Sequence, residues 1–253
     1  MEKNIWNKVA EVTVLFWIMK IIATTLGETL GDFIAQTLGL GYTIGILITL
    51  VFFAIVLVIQ LYAKKYVPLY FWLVIIATTT LGTEISDYMD RSLRLGYTIG
   101  SAILLAGLIA TLLNWYFQYR NLKIHPIFKR KKELLFWTAV LFSNSLGTAF
   151  GDYLSDVAGL SYLMGAAVTA TVIGIVILLH YFTKLNQILL FWIAFVFTRP
   201  FGATFGDFLT KPLDKGGLDL GTLAASLISI LLIALFIYIS HRQHKGKNIH
   251  SAL

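Results

Sequence analysis

One segment occurs four times along this sequence, and the repetition restricts the possible folds more than any other feature. Each copy opens with a Phe-Trp pair, continues with a glycine-rich motif that ends in an aspartate, and closes with two small residues four positions apart. We place the copies at residues 12–63, 68–118, 134–182 and 187–240, with a basic loop at 119–133. The aspartate keeps its place in every copy, as Asp32, Asp87, Asp152 and Asp207.

The composition places these repeats in a lipid bilayer. Hydrophobic residues make up 58% of the 253-residue chain and charged residues only 13%, with a mean hydropathy of +0.79. Every copy contains two apolar runs of about 20 residues, the length that a transmembrane helix needs. The sequence therefore predicts an all-α polytopic membrane protein, a single membrane domain of eight transmembrane helices in four helical-hairpin repeats.

The direction of the repeats follows from their even number of spans. Because each copy crosses the bilayer twice, all four enter it the same way, and parallel copies are related by a pseudo-symmetry axis along the membrane normal. We expect a ring of four hairpins around that axis, with a two-plus-two arrangement as the alternative. Lysine and arginine are concentrated at the termini and between the copies, so the positive-inside rule predicts cytoplasmic N- and C-termini.

Composition and motifs also exclude several functions. Basic loops account for the net charge of +7, so nucleic acid is not an expected partner. The chain has no cysteine, which excludes thiolate metal sites and cysteine nucleophiles. It contains neither a nucleotide-binding loop nor a nucleophile–base pattern, so we expect no enzyme and no cofactor. The expected partners are the lipid bilayer and a transported metal cation or proton, and the oligomeric state stays open.

Small residues recur four positions apart on one face of each odd-numbered span. Such small-xxx-small pairs let helix backbones approach closely in a membrane. We predict helix packing at this face, and a broken helix that lines a cavity is the alternative. The glycines concerned are Gly27, Gly31, Gly82, Gly147, Gly151, Gly202 and Gly206.

A column of polar residues lies one position further round the same helices. It includes the four aspartates together with Thr24, Glu28, Thr79, Thr83, Asn144 and Thr148. Glu84 is one position off the column, but it precedes Asp87 by three residues and is expected to join it. Charged groups inside a membrane are costly and mark ion pathways and proton relays. We therefore predict a cation- or proton-binding site formed by Asp32, Asp87, Asp152, Asp207, Glu28 and Glu84.

The fourth copy departs from the pattern with Arg199, which takes the place of Thr24. We expect it either to form a buried ion pair with Glu28, Glu84 or an aspartate, or to compete with a transported ion. Lys20 is expected to reach the interface or to find a partner. Six acids against these two bases leave about four negative charges if all ionise.

The ligand types favour a hard cation. Oxygen donors suit Mn²⁺, Mg²⁺ or Ca²⁺, and every histidine lies in a loop, at a span end or in the tail. We predict a metal-cation transporter with the four aspartates as metal ligands, secondary and proton-coupled. The alternatives are a non-transporting scaffold or lipid-interacting protein, and a permease for a small polar solute. The Phe-Trp pairs and the tyrosines Tyr42, Tyr97 and Tyr162 are expected to form interfacial aromatic belts, with a gate role open for the tyrosines.

The four copies resemble a family of bacterial inner-membrane proteins built from four tandem repeats of unknown function. The resemblance extends from Phe16 to about Tyr238 and includes the recurrent tryptophans Trp17, Trp72, Trp137 and Trp192. It implies two spans per copy and a location in the inner (plasma) membrane, and it implies no activity. The fourth copy differs most, with Arg199-Pro200 for Thr-Thr and Leu218 for the tyrosine.

Overall fold

A computed structural model describes residues 7–250, with side chains described through residue 240. These residues form eight long helices and no strand, and every helix has the length and hydropathy of a membrane span. The predicted eight-helix polytopic fold is confirmed. The helices are α1 (Val14–Asp32), α2 (Gly41–Tyr62), α3 (Pro68–Asp87), α4 (Gly96–Tyr119), α5 (Arg130–Asp152), α6 (Tyr162–Phe182), α7 (Gln187–Thr210) and α8 (Thr222–His250).

Local sequence explains several helix boundaries. The Thr13 hydroxyl accepts the backbone N–H of Phe16 at the start of α1, and Asn186 caps α7 in the same manner. Two helices begin away from the predicted positions. Helix α5 begins at Arg130, so the basic run forms its first turn rather than part of a loop at 119–133. Helix α8 begins at Thr222 instead of residue 218, because a short 3₁₀ turn, Leu213–Lys215, precedes it.

Each of the first three copies continues from its aspartate directly into a π-helical turn. These turns are Phe33–Thr37, Tyr88–Ser92 and Tyr153–Val157. The fourth copy has none, and α7 runs as an α-helix to Thr210. Single π-helical turns within helices often occur at functional sites. The local backbone therefore sets the stretch after the aspartate apart from an ordinary helix end.

The odd-numbered helices form a closed ring in which α1 packs on α3, α3 on α5, α5 on α7, and α7 on α1. The glycine face makes these contacts. A side chain added at Gly27 would meet Thr79 on α3, and one at Gly202 would meet Thr24 on α1. The corresponding contacts are Gly82 with Asn144 and Gly147 with Arg199. The structure thus uses the small residues for close packing, and its four-membered ring has the predicted pseudo-symmetry.

The even-numbered helices cover this ring from outside, each against the following copy. Helix α2 packs on α3, α4 on α5 and α6 on α7, while α8 closes the circle on α1. The two helices of a copy are therefore consecutive in the chain. In space, however, each even helix packs mainly on the odd helix of the next copy. The arrangement interlocks the four copies.

The Phe-Trp pairs lie inside the bundle, and the predicted interfacial belt is wrong for most of them. Phe71, Trp72, Phe136 and Trp137 are each 1% exposed. The phenylalanine rings meet around the axis, with centroids 6.5 Å apart for Phe16 with Phe71 and for Phe71 with Phe136. The packed phenylalanine side chains fill one end of the helix ring, the end that is remote from the aspartates. We call this the aromatic end.

The N-terminal segment adds a second layer at the aromatic end. Val9 is 1% exposed and belongs to the same apolar cluster as the phenylalanines. Beside it the Lys8 ammonium lies 2.5 Å from the carboxylate of Glu133, which is also fully buried. Gln60 donates to the other oxygen of Glu133 at 2.8 Å. This network ties the N-terminal segment to the ends of α2 and α5.

Candidate functional site

Side chains four positions apart on α1, α3, α5 and α7 form successive polar layers across the ring. The layer nearest the aromatic end contains Lys20, which is 0% exposed and does not reach an interface. Its ammonium donates to the Asn144 side-chain oxygen at 3.0 Å and lies 4.3 Å from the centre of the Phe195 ring. The partners of Lys20 are thus a neutral amide on α5, across the ring, and an aromatic ring on the neighbouring α7.

Beyond Lys20, toward the aspartates, three threonine hydroxyl groups link neighbouring helices. Thr24 donates to the backbone carbonyl of Thr198, and Thr79 donates to that of Ala23. Thr83 repeats this contact one turn further on, with the carbonyl of Gly27. Such interhelical hydrogen bonds contribute about 0.6 kcal/mol each in membrane proteins. These threonines, predicted as supporting polar residues, act here on neighbouring backbones.

Arg199 and Glu28 form a buried ion pair at the centre of the ring. The guanidinium lies 2.9 Å from the Glu28 carboxylate, and the two residues are 0% and 3% exposed. The same guanidinium nitrogen also lies 2.5 Å from the Thr83 hydroxyl oxygen and 2.6 Å from that of Thr148, so these three acceptors share its two N–H groups. Of the partners expected for Arg199, the structure therefore selects Glu28. All four odd helices meet around this one side chain.

The four aspartates form the next layer, and each is at most 6% exposed. They are grouped into two pairs, each bridged by a basic residue. The Lys211 ammonium lies 2.6 Å from Asp32 and 3.2 Å from Asp207. We call these three residues the lysine half-site.

The second pair repeats the design on the opposite side of the ring. The Arg91 guanidinium lies 3.7 Å from Asp87 and 3.3 Å from Asp152, and we call these three residues the arginine half-site. Asp87 also experiences the charges of Asp32 and Asp207, so the four carboxylates form one electrostatic unit. In both half-sites a base lies four residues after its own aspartate and binds the aspartate of the following copy. The layer has approximate two-fold symmetry.

Arg91 and Lys211 are not among the site residues predicted from the sequence, although each continues the polar column four positions after its aspartate. A base four residues after an acid on a helix is the signal that identifies them as partners. Both side chains are partly exposed, 36% for Arg91 and 22% for Lys211. Burial alone lowers the pKa of the Lys211 ammonium, but the Asp207 and Asp32 carboxylates raise it well above its ordinary value. Lys211 therefore stays charged while its acids are ionised.

A candidate metal-binding group lies at the lysine half-site, where the layer of Arg199 and Glu28 meets the layer of the four aspartates. One carboxylate oxygen each from Glu28, Asp32 and Asp207 lies within 4.8 Å of the others, and all three residues are buried. Three oxygen ligands with this spacing suit a hard divalent cation. The two layers together contain five carboxylates and three bases, which leaves two negative charges when all ionise. Arg91 and Lys211 halve the excess of about four expected from the sequence.

Glu84 does not join the axial column as predicted. It faces α2, where a side chain added at Gly45 would lie 2.5 Å from a Glu84 carboxylate oxygen. Because Glu84 is one residue off the column, its side chain is rotated by about 100° around the helix axis, toward the interface with α2. Within the described residues its carboxylate has no hydrogen-bond partner, although it is only 1% exposed.

The tyrosines at the start of the even helices reach the rim of the site. Tyr42 accepts a hydrogen bond from Arg91 at 3.1 Å, and Tyr97 donates to Asp156 at 2.6 Å. Each tyrosine acts on the following copy, as the packing of the even helices requires. These two residues therefore do more than form an interfacial belt, and they contact charged groups directly above the aspartates.

A family model described as "Repeat of Unknown Function (DUF347)" matches the chain four times. The matched residues are 15–66, 70–121, 135–186 and 190–245. The chain belongs to this family of four-repeat membrane-like helical proteins, and the expected repeat architecture is confirmed. No curated protein and no solved structure matches it significantly.

Proposed function

We propose that this protein transports a hard divalent metal cation such as Mn²⁺ through the aspartate layer. The observation that carries the proposal is the convergence of the four aspartates, with Glu28, Asp32 and Asp207 close enough to share one ion. Buried carboxylates in a membrane are costly, and they are typical of ion pathways. Convergence supports this function because separated aspartates would not create a common site.

The charge of the two layers favours a divalent ion. Five carboxylates and three bases leave two negative charges with Lys211 in place and three once it is released, so the site attracts a divalent cation more strongly than a monovalent one. Carboxylate oxygens together with the nearby threonine hydroxyl groups favour hard cations over copper. The protein is expected to use an ion gradient or passive flow, since its sequence carries no nucleotide-binding motif.

In this proposal Lys211 is an internal cation that occupies the site when the metal ion is absent. Its ammonium lies on the partly exposed side of the aspartate layer and contacts two of the three candidate ligands. An entering ion releases Lys211 toward the surface and takes over its carboxylates. Arg199 stays beneath, where it holds Glu28 at the axis.

The packed aromatic end supports a cycle with alternating access. The phenylalanine rings and the N-terminal segment fill the axis there, whereas Arg91 and Lys211 are partly exposed at the other end. With the predicted cytoplasmic termini in the inner membrane, the aspartate layer faces the outer side in this conformation, and the partly exposed Arg91 and Lys211 cover it. Transport then requires the aromatic end to open.

A structural scaffold is the second candidate, because each aspartate already has a basic partner. The alternative of a permease for a small polar solute, in which Arg199 would bind a substrate anion, is less favoured. The terminal nitrogens of Arg199 already donate to Glu28, Thr83, Thr148 and the backbone of Thr24. An anion would have to displace these groups from a fully buried residue.

Metal uptake into proteoliposomes tests the proposal. Vesicles with purified protein and a trapped metal-sensitive dye should take up Mn²⁺, and Asp207→Asn should abolish the uptake. Asp214→Asn, an exposed aspartate in the 3₁₀ turn, is the matched control and should transport normally. Folded wild-type protein without uptake in either vesicle orientation, or unchanged uptake by folded Asp207→Asn, would overturn the proposal in favour of the scaffold.

A further inference from the structure

Glu84 is a carboxyl group that neither the ring nor the packing of the helices explains. It is 1% exposed, and both of its oxygens lack a hydrogen-bond partner in the described part of the chain. An unpaired charge in such a place is strongly disfavoured, whereas the protonated acid is tolerated. Glu84 is therefore neutral in this conformation.

The corresponding positions in the other copies show that helix packing does not require an acid there. Thr29 donates to a backbone carbonyl and accepts a hydrogen bond from Ser226, and Thr204 donates to the carbonyl of Pro200. The third copy has Ala149, which is fully buried. A small residue fits this interface in three copies, so the carboxyl group in the second copy is an addition.

The groups around Glu84 connect its proton to the metal site. From α1, the carboxylates of Glu28 and Asp32 act on Glu84 with negative charge. Helix α2 faces it with Gly45, and the titratable group of α2 nearest along the chain is Tyr42. On its own helix Asp87 and Arg91 form the ion pair of the arginine half-site. Burial without a hydrogen-bond partner, together with these neighbouring negative charges, favours the protonated form of Glu84.

We propose that Glu84 binds the proton that this transporter exchanges for its metal ion. The inference rests on the proposed function. A cation bound by Glu28 and Asp32 cancels the negative charge that favours protonation, so metal binding promotes proton release from Glu84. Protonation of Glu84 weakens metal binding by the same factor, because coupling between two binding sites is reciprocal. The proton thus has a site separate from the metal ligands.

Infrared spectroscopy tests whether Glu84 carries the proton. The purified protein at neutral pH should show the carbonyl absorption of a protonated carboxyl group, and Glu84→Gln should lack it. Glu133→Gln is the matched control, since Glu133 is equally buried but paired with the Lys8 ammonium, and the substitution should leave this absorption unchanged. Adding Mn²⁺ should reduce the absorption in the wild type. An absorption that Glu84→Gln leaves intact would overturn the inference.

Proton release on metal binding separates this inference from the proposed function. With a pH dye in weak buffer, wild-type protein should release about one more proton per bound Mn²⁺ than Glu84→Gln. In vesicles, a pH gradient should drive Mn²⁺ uptake by the wild type and not by Glu84→Gln, which should still bind Mn²⁺. Equal proton release by both proteins would refute the role of Glu84 and leave the metal site standing. Wild-type protein that does not bind Mn²⁺ would refute the metal site, and with it the exchange.

Discussion

The lysine and arginine half-sites have the same plan and differ in what lies beneath them. In each, a base from an even-numbered copy bridges its own aspartate and that of the next copy. Under the lysine half-site lies Glu28, whereas the arginine half-site has the neutral Thr83 and Thr148 at the equivalent positions. Among the described residues, a third carboxylate close enough to share the proposed metal ion is present at the lysine half-site alone.

The largest expected effect is on the stability of the fold, when Arg199 is replaced beneath the lysine half-site. Arg199→Met leaves Glu28 buried without its partner, and breaking a buried ion pair costs about 3–5 kcal/mol. Chemical unfolding in detergent should detect the loss. The double variant Arg199→Met/Glu28→Gln should recover most of the stability, because it leaves no unpaired charge. Arg91→Met should cost less than Arg199→Met, because the Arg91 side chain is 36% exposed and solvent screens its ion pairs. Equal losses for Arg199→Met and Arg91→Met would remove the difference between the half-sites.

The second effect is the loss of a proposed metal ligand. Asp32→Asn should weaken Mn²⁺ binding by about a hundredfold, or about 2.8 kcal/mol, because a ligand matters at least as much as its supporting groups. Asp152→Asn, in the arginine half-site, should weaken it by less than about tenfold. Isothermal titration calorimetry on both variants provides the comparison. Should the two variants lose equal affinity, the ion contacts both half-sites and the assignment to one of them is wrong.

A third, smaller effect is expected at the packing seam between the half-sites, where α5 meets α7. A methyl group at Gly147 would strike the Arg199 side chain, and overpacking of this kind costs about 1–3 kcal/mol. Gly147→Ala should therefore lower the unfolding midpoint. Gly174→Ala on α6 is the control, since nothing in the described structure lies within 4 Å of the added methyl group. If Gly147→Ala is as stable as this control, the seam is not closely packed.

The smallest effect distinguishes the two bridging bases. Lys211→Met removes a cation that competes with the metal ion for Asp32 and Asp207, so Mn²⁺ affinity should rise by about tenfold. Arg91→Met should change affinity less, since Arg91 contacts neither of these aspartates. Titration of both proteins at one ionic strength measures the ratio. A decrease in affinity for Lys211→Met would contradict the displacement of Lys211 by the metal ion.

Much of this architecture could be predicted from the repeated motif. The eight spans, the parallel copies and the packing role of the glycines follow from apolar length and from spacing. Arg199 was recognised as a partner for a buried acid, but sequence alone left Glu28, Glu84 and the aspartates as alternatives. The choice depends on which helix follows which around the ring, and the repeat pattern leaves that order open.

Other features depend on packing that a single sequence does not reveal. A short connection favours contact between consecutive helices, so the displacement of each even helix onto the next copy was not expected. The same geometry moves Glu84 to the interface with α2. The Phe-Trp pairs have a composition typical of an interfacial belt, and only the closed ring shows that they fill its interior. Lys211 and Arg91 could have been found, since each follows an aspartate by four residues.

The interlocking of the repeats has a consequence for cooperativity. In an open array of repeats the terminal units contact a neighbour on one side only, and they can unfold first. Here α8 covers α1, so the first and last copies are also neighbours and the ring has no terminal unit. If one copy unfolds, its even helix no longer covers the odd helix of the next copy. The even helix of the preceding copy also loses the odd helix on which it packs. The protein should accordingly unfold in one all-or-none transition, despite a sequence divided into four separate units.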